Sequence, residues 1–136
     1  MRLIHILGYA GLLPFIGLTS LQLWPQLLAF SLPFTAFQSY SQIILAFMAG
    51  VLWPVFYRQS GLTLPVWVVS IALVGWFSSL LLPQHQLLVL AAAYIAVRLI
   101  ELRQGSLLNY SPAYHRLRNQ LTTVVVICHL LYWWSI

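Results

Sequence analysis

Residues 84–102 read QHQLLVLAAAYIAVRLIEL, a run with no permanent charge before Arg98 and with Glu101 next to its end. A helix needs about 20 predominantly apolar residues to cross the hydrocarbon core of a bilayer. This stretch has that length and concentrates its charge at one end, so it reads as a transmembrane rod. The composition agrees: 62% of the 136 residues are hydrophobic and 5% charged, against roughly 25% charged residues in a water-soluble domain. Lipid, not water, is the solvent this chain is composed for.

Working outward, breakers cut the sequence into pieces of similar length. Pro83 precedes the quoted run, and a third span from Leu62 to Leu82 lies before it. A second span from Ala36 to Tyr57 ends at Arg58-Gln59-Ser60-Gly61. The first, Leu3 to Trp24, ends at Pro25 and contains Pro14, which removes a backbone donor and predicts a kink. After the quoted run, residues 103–119 form the one polar stretch of any size, with turn signals at Gly105, Ser106, Asn109, Ser111 and Pro112. The fifth span runs from Gln120 to Ile136. The expectation is an all-α membrane protein, one domain over residues 1–136, built as a bundle of five transmembrane helices.

Five spans put the termini on opposite sides. All six Arg (Arg2, Arg58, Arg98, Arg103, Arg116, Arg118) then fall on the N-terminal side and none on the other. The positive-inside rule makes that side cytoplasmic, or the matrix in a mitochondrion, and the membrane a bacterial inner membrane or its mitochondrial counterpart. Trp24, Trp133 and Trp134 fall at outer ends, and Trp53, Tyr57 and Trp67 near inner ends, where aromatic rings anchor at headgroup level. Residues 26–37, with Pro33 among them, are apolar but too short to span and read as an interfacial or re-entrant piece. The first span resembles a secretory signal in having Arg2 before an apolar run, but it is too long and lacks an Ala-x-Ala-like site, so retention is expected.

Inside the spans, Gln38, Ser41 and Gln42 share one helical face that continues through Ala46, Ala49 and Gly50. Polar groups followed by small residues are the material of membrane helix contacts. Gly8, Gly11, Ala92 and Ala96 offer opposing surfaces, and a polar site open to the outer face is the alternative. Glu101 is the sole acidic residue. It lies three residues after Arg98, which places the two on one face for an ion pair at the inner end, joined by Arg116 or Arg118, with Arg98 near enough to the interface to snorkel. A gating or proton-handling pair is the alternative. His129, about nine residues into the fifth span, falls near the midplane as a buried hydrogen-bonding group or, less simply, a haem or metal ligand. A second ligand is missing at that depth, because His5 and His115 lie at the inner face and His85 in an outer turn.

No cofactor and no metal site follow from these residues. His-x-x-x-His pairs, carboxylate clusters, Cys-x-x-Cys and phosphate loops do not occur, and the chain has one cysteine, Cys128. Ser and Thr lack an Asp partner, so ordinary hydrolase chemistry is excluded. Six scattered Arg without Lys do not form a basic face for nucleic acid.

Several stretches together resemble a family known only as a domain of unknown function, which includes mitochondrial transmembrane protein sixty-nine. They are Gly8-Tyr9-Ala10-Gly11-Leu12-Leu13-Pro14-Phe15, Tyr40 with Ile43 to Gly50 and Trp53, Pro65 with Trp76, and Tyr114 to Thr122. Its Tyr-x-x-Leu-Arg-x-x-Leu-Thr signature is matched by Tyr114, Leu117, Arg118, Leu121 and Thr122, and Glu101 fills the place of an acid that closes the fourth helix. Pro54 and Ala113 depart from the family pattern, which has Gly and Trp there. The resemblance implies a multi-span protein of bacterial inner membranes and mitochondria, and no activity. Three readings follow, in order: an accessory or assembly subunit of a larger, possibly respiratory, membrane complex; a small oligomeric transporter or channel; and a haem- or quinone-associated redox protein. The partners implied are the bilayer and a larger complex or a homo-oligomer.

Overall fold

The computed structural model describes residues 2–24, 34–51, 63–103 and 111–136, and all regular structure among them is helical. The Arg58 loop, Trp53, Pro54 and Tyr57 lie outside the described residues. So does most of the proposed interfacial piece, except that Phe34 to Phe37 form the first turn of a regular helix.

The first span is broken. Helix α1 covers Arg2–Ala10 and α2 covers Leu13–Leu23. Pro14 is the cause: inside a continuous helix its ring would collide with the carbonyl of Ala10 and leave that carbonyl without a donor. The chain therefore stops after Ala10 and restarts with Pro14 in the first turn of α2, where a missing N–H costs nothing. Gly11 and Leu12 bridge the break, and the Tyr40 hydroxyl donates to the Gly11 carbonyl at 2.7 Å.

Helix α3 is Phe34–Gly50 and α4 is Thr63–Phe77, the latter tightening into a 3-10 turn at Ser78–Leu80. In that turn Ser78 and Ser79 each donate to a carbonyl three residues back, Gly75 and Trp76. Helix α5, Pro83–Arg103, matches the quoted run with Pro83 in its first turn. Helix α6, Pro112–Ser135, begins eight residues earlier than the fifth span read from hydropathy. Ser111 caps it by accepting from the Tyr114 N–H, and Pro112 fixes the first helical φ. Hydropathy hid this turn because it carries Arg116, Arg118 and Asn119.

Helices α5 and α6 make the most extensive pairing. Both α1 and α2 lie along α6, while α3 packs on α2, α4 and α5, and α4 closes the other side against α3 and α5. Close approach occurs at two glycines. Gly8 faces Leu117 and Leu121 of α6, where a Cβ would stand 3.5 Å from each. Gly75 of α4 is tighter: a Cβ there would lie 2.6 Å from Leu45 Cδ2, a side chain 1% exposed and with nowhere to retreat.

The core is largely apolar, but it also takes in polar and charged side chains, and large apolar side chains are exposed. Ser41, Gln86, Arg98, Glu101, Arg118 and His129 are buried, while Leu3, Ile6, Phe47, Trp67, Leu80 and Trp134 are among the exposed large apolar side chains. Two helical stretches, Arg2–Leu23 and Pro83–Arg103, are long and apolar enough to cross a membrane, and Val66–Leu80 is apolar but shorter. On α3 the buried stripe is Phe37, Ser41, Leu45 and Ala49. The expected face was centred one residue too far round: Gln38, Gln42 and Gly50 flank the stripe half-buried, and Ala46 is exposed. Ala92 is exposed as well, with Ala91 and Ala93 buried in its place.

Gly75→Val should overpack the α3–α4 contact and destabilise the fold by about 1–3 kcal/mol, read as a lower melting temperature in detergent. The exposed Gly17, which has nothing within 4 Å of its Cβ position, should accept alanine with no loss.

Candidate functional site

Tyr94, Arg98 and Glu101 fall on one stripe of α5, and His115, Arg118 and Asn119 on one face of α6. Where the two faces meet, Glu101 is fully buried between two guanidinium groups. Arg118 donates to the carboxylate through Nε, at 2.9 Å to Oε1 and 3.0 Å to Oε2, and again through Nη2. Arg98 Nη1 lies 3.2 Å from Oε1, and its Nε donates to Asn119 Oδ1 at 2.8 Å. Arg98 Nη2 reaches the His115 carbonyl at 3.3 Å, and Arg118 Nη1 contacts Met48 Sδ of α3.

The expected inner-end pair therefore includes Arg98, Glu101 and Arg118, but not Arg116. Arg116 is exposed, two residues and so about 200° round α6 from Arg118. Arg98 does not snorkel: it is 5% exposed and held by α6. A long chain can reach water only if no better partner lies inside, and here a carboxylate and an amide do.

A second polar cluster joins α3, α5 and α6 nearer the opposite end. The Ser41 hydroxyl donates to His129 Nε2 at 2.6 Å, and His129 Nδ1–H donates to the Val125 carbonyl at 2.7 Å. The Tyr94 hydroxyl donates to the Ser41 carbonyl at 2.6 Å. Phe15, Phe37 and Tyr94 surround the imidazole at ring-centroid distances of 4.9–5.7 Å. A neutral ring with its proton on Nδ1 satisfies both nitrogens, so no lone pair points outward for a metal. His129 lies about 25 Å along α6 from Pro112 and about 9 Å from Ser135.

Gln42 Nε2 donates to the Gly75 carbonyl at 2.8 Å, so this glutamine joins α3 to α4. Gln38 is half-buried on the flank of α3, and His85 is exposed. Tyr94 was not singled out by sequence, and His115, Asn119 and Met48 were not assigned to the ion pair, although the i, i+4, i+7 spacing of Tyr94, Arg98 and Glu101 was a readable signal. Gln86 was also missed; it is 1% exposed, and its amide nitrogen has no hydrogen-bond partner among the described residues.

Between α1–α2, α3 and α6 lies a cavity of about 390 Å³. Its walls are apolar: Ile4, Leu7 and Leu12 on one side, Ile44 and Phe47 on another, Leu117 and Leu121 on the third. Tyr114 and Arg118 lie at the charged end, and Phe15, Tyr94 and Val125 at the other. It exists because the Gly11 break, pinned by Tyr40, ends the close packing of the first span on α3. Among the described residues no group of three or more His, Cys, Asp or Glu gathers as a metal site.

The site and fold define a helical bundle with two polar clusters in an apolar core, many exposed large apolar side chains and a single carboxylate shared by two arginines. The chain belongs to the family described as "Protein of unknown function (DUF3429)", whose profile matches residues 1–134. No curated protein and no solved structure matches it.

Glu101→Gln should leave two buried guanidinium groups unanswered and cost about 3–5 kcal/mol, the range for breaking a buried ion pair. Arg116→Gln should change stability by less than about 0.5 kcal/mol, as for an ordinary surface site. Denaturant unfolding in detergent micelles measures both.

Proposed function

We propose that the protein is a five-span integral membrane protein of the bacterial inner membrane, or of the mitochondrial inner membrane in a eukaryote. The N-terminus lies on the cytoplasmic or matrix side. It works as an accessory or assembly subunit of a larger membrane complex, and respiratory complexes come first given the resemblance to mitochondrial transmembrane protein sixty-nine.

The observation that carries this reading is that the polar side chains a transporter would use, Gln42, His129, Arg98 and Glu101, are bonded across helix contacts. Gln42 is bonded to Gly75, Ser41 to His129, His129 to Val125, and Arg98 and Arg118 to Glu101. A transporter or channel needs polar groups that line a hydrated path and exchange partners with a solute. These groups face neighbouring helices and are spent on holding them. A haem ligand needs a free imidazole nitrogen, and both nitrogens of His129 are engaged. What remains for the protein to offer is its outer surface. The exposed apolar side chains on α1, α4 and α5 suit lipid and the helices of a partner equally, since neither contact requires matched polar groups.

Reporter fusions should place the first and last residues in different compartments; both in one compartment would refute five spans. Purification in mild detergent should bring down a larger membrane partner in fixed stoichiometry. A symmetric homo-oligomer alone would instead support a transporter, and a bare monomer would remove the accessory role.

A further inference from the structure

The cavity beside α1 has the length, polarity and charge of a site for one hydrocarbon tail. Tyr114 to Val125 on one wall cover twelve residues, about 16 Å of helix, and Ile4 to Phe15 on another cover the same number across the α1–α2 break. That is about half the 30 Å hydrocarbon thickness, the depth of one leaflet. Its polar liners, Tyr114 and Arg118, are at the arginine-bearing end, and the far end is closed by Leu12, Phe15 and Val125. Ile4, Leu7 and Phe47 line it and are also exposed at 46%, 62% and 65%, so the side between α1 and α3 opens laterally.

Charge selects the head. Glu101 is the chain's one acidic side chain and is already shared by Arg98 and Arg118. Arg2, Arg103 and Arg116, all exposed, have no carboxylate side chain left to meet. Anionic lipid headgroups answer such cations at a membrane surface. We infer that the cavity holds one acyl tail of an anionic phospholipid from the leaflet on the arginine side, with its headgroup at the end lined by Tyr114 and Arg118, where Arg2 and Arg116 lie within two residues of the liners Ile4 and Leu117. This site rests on the membrane-spanning reading, but not on the accessory role. The stretches that carry the family resemblance converge on it: Gly8, Gly11, Leu12 and Phe15, then Ile44, Phe47 and Met48, then Tyr114, Leu117, Arg118, Leu121 and Thr122.

The test uses the full chain in phosphatidylcholine vesicles doped with phosphatidylglycerol carrying a diazirine at its tail end, followed by peptide mass spectrometry. Adducts are expected on Leu12, Phe15 or Val125, which are 7%, 1% and 4% exposed and out of reach of lipid that merely surrounds the bundle. Phosphatidylglycerol should label them about fivefold more than a phosphatidylcholine probe, the factor for one arginine at an anionic surface. Ile44→Trp should abolish these adducts and leave those on exposed mid-helix Leu73 and Ile95. Adducts confined to exposed residues, or equal labelling by the two headgroups, would overturn the site; both are read on the unsubstituted protein, so a misfolded variant does not decide the matter. A quinone or a second copy of the chain occupying the cavity in native mass spectrometry would also overturn it. Flotation with the vesicles separates the two levels. Protein that fails to float refutes the membrane reading, whereas protein that floats without deep adducts refutes only the tail site.

Discussion

One carboxylate held between two guanidinium groups sets the register of the whole bundle. Removing three charges from water is costly, and such a cluster persists only where geometry answers each hydrogen-bonding group. Here Arg118 grips both oxygens of Glu101, Arg98 takes one of them and also Asn119, and Arg118 extends to Met48. Three helices are therefore keyed to one point. Sliding α5 against α6 by even one residue would move buried charges off their partners, whereas the apolar contacts of Leu87, Leu90, Val125 and Cys128 could be remade in several registers. The specificity lies in the ionic knot, and the packing follows it.

The second key lies further along the same two helices. Ser41, Tyr94 and His129 form a short chain of hydrogen bonds within a ring of aromatic side chains. Buried away from water such bonds have no competing solvent, so their directionality fixes how the helices are rotated. With the charged knot near one end of their contact and Tyr94 and His129 further along it, α5 and α6 form a rigid spine. The broken first span and α3 then lean on this spine without touching along their whole length. The gap they leave is the apolar cavity, and its origin is a single proline collision relieved at Gly11.

These features suit a protein whose interior is structural and whose surface is the working part. Gln42, His129, Arg98 and Glu101, which could have moved a proton or a solute, are engaged with neighbouring groups of the bundle. The exposed surface, by contrast, is rich in large apolar side chains and carries arginines for which the chain supplies no acid.

Much of the architecture was written into the sequence because it depends on local and compositional physics. The all-helical build, the two apolar stretches long enough to cross a membrane, the break forced by Pro14 and the Arg98–Glu101 pairing all follow from chain geometry at short range. What tertiary structure alone decided depends on distances between helices. That Arg118 and not Arg116 completes the knot, that Arg98 turns inward, that α6 starts at Pro112, and that the buried stripe of α3 runs through Ser41 and Leu45 are matters of rotation about a helix axis. A displacement of one residue, about 100°, exchanges inside for outside. A uniformly apolar helix gives hydropathy no means of choosing between those faces; the buried carboxylate and the imidazole do.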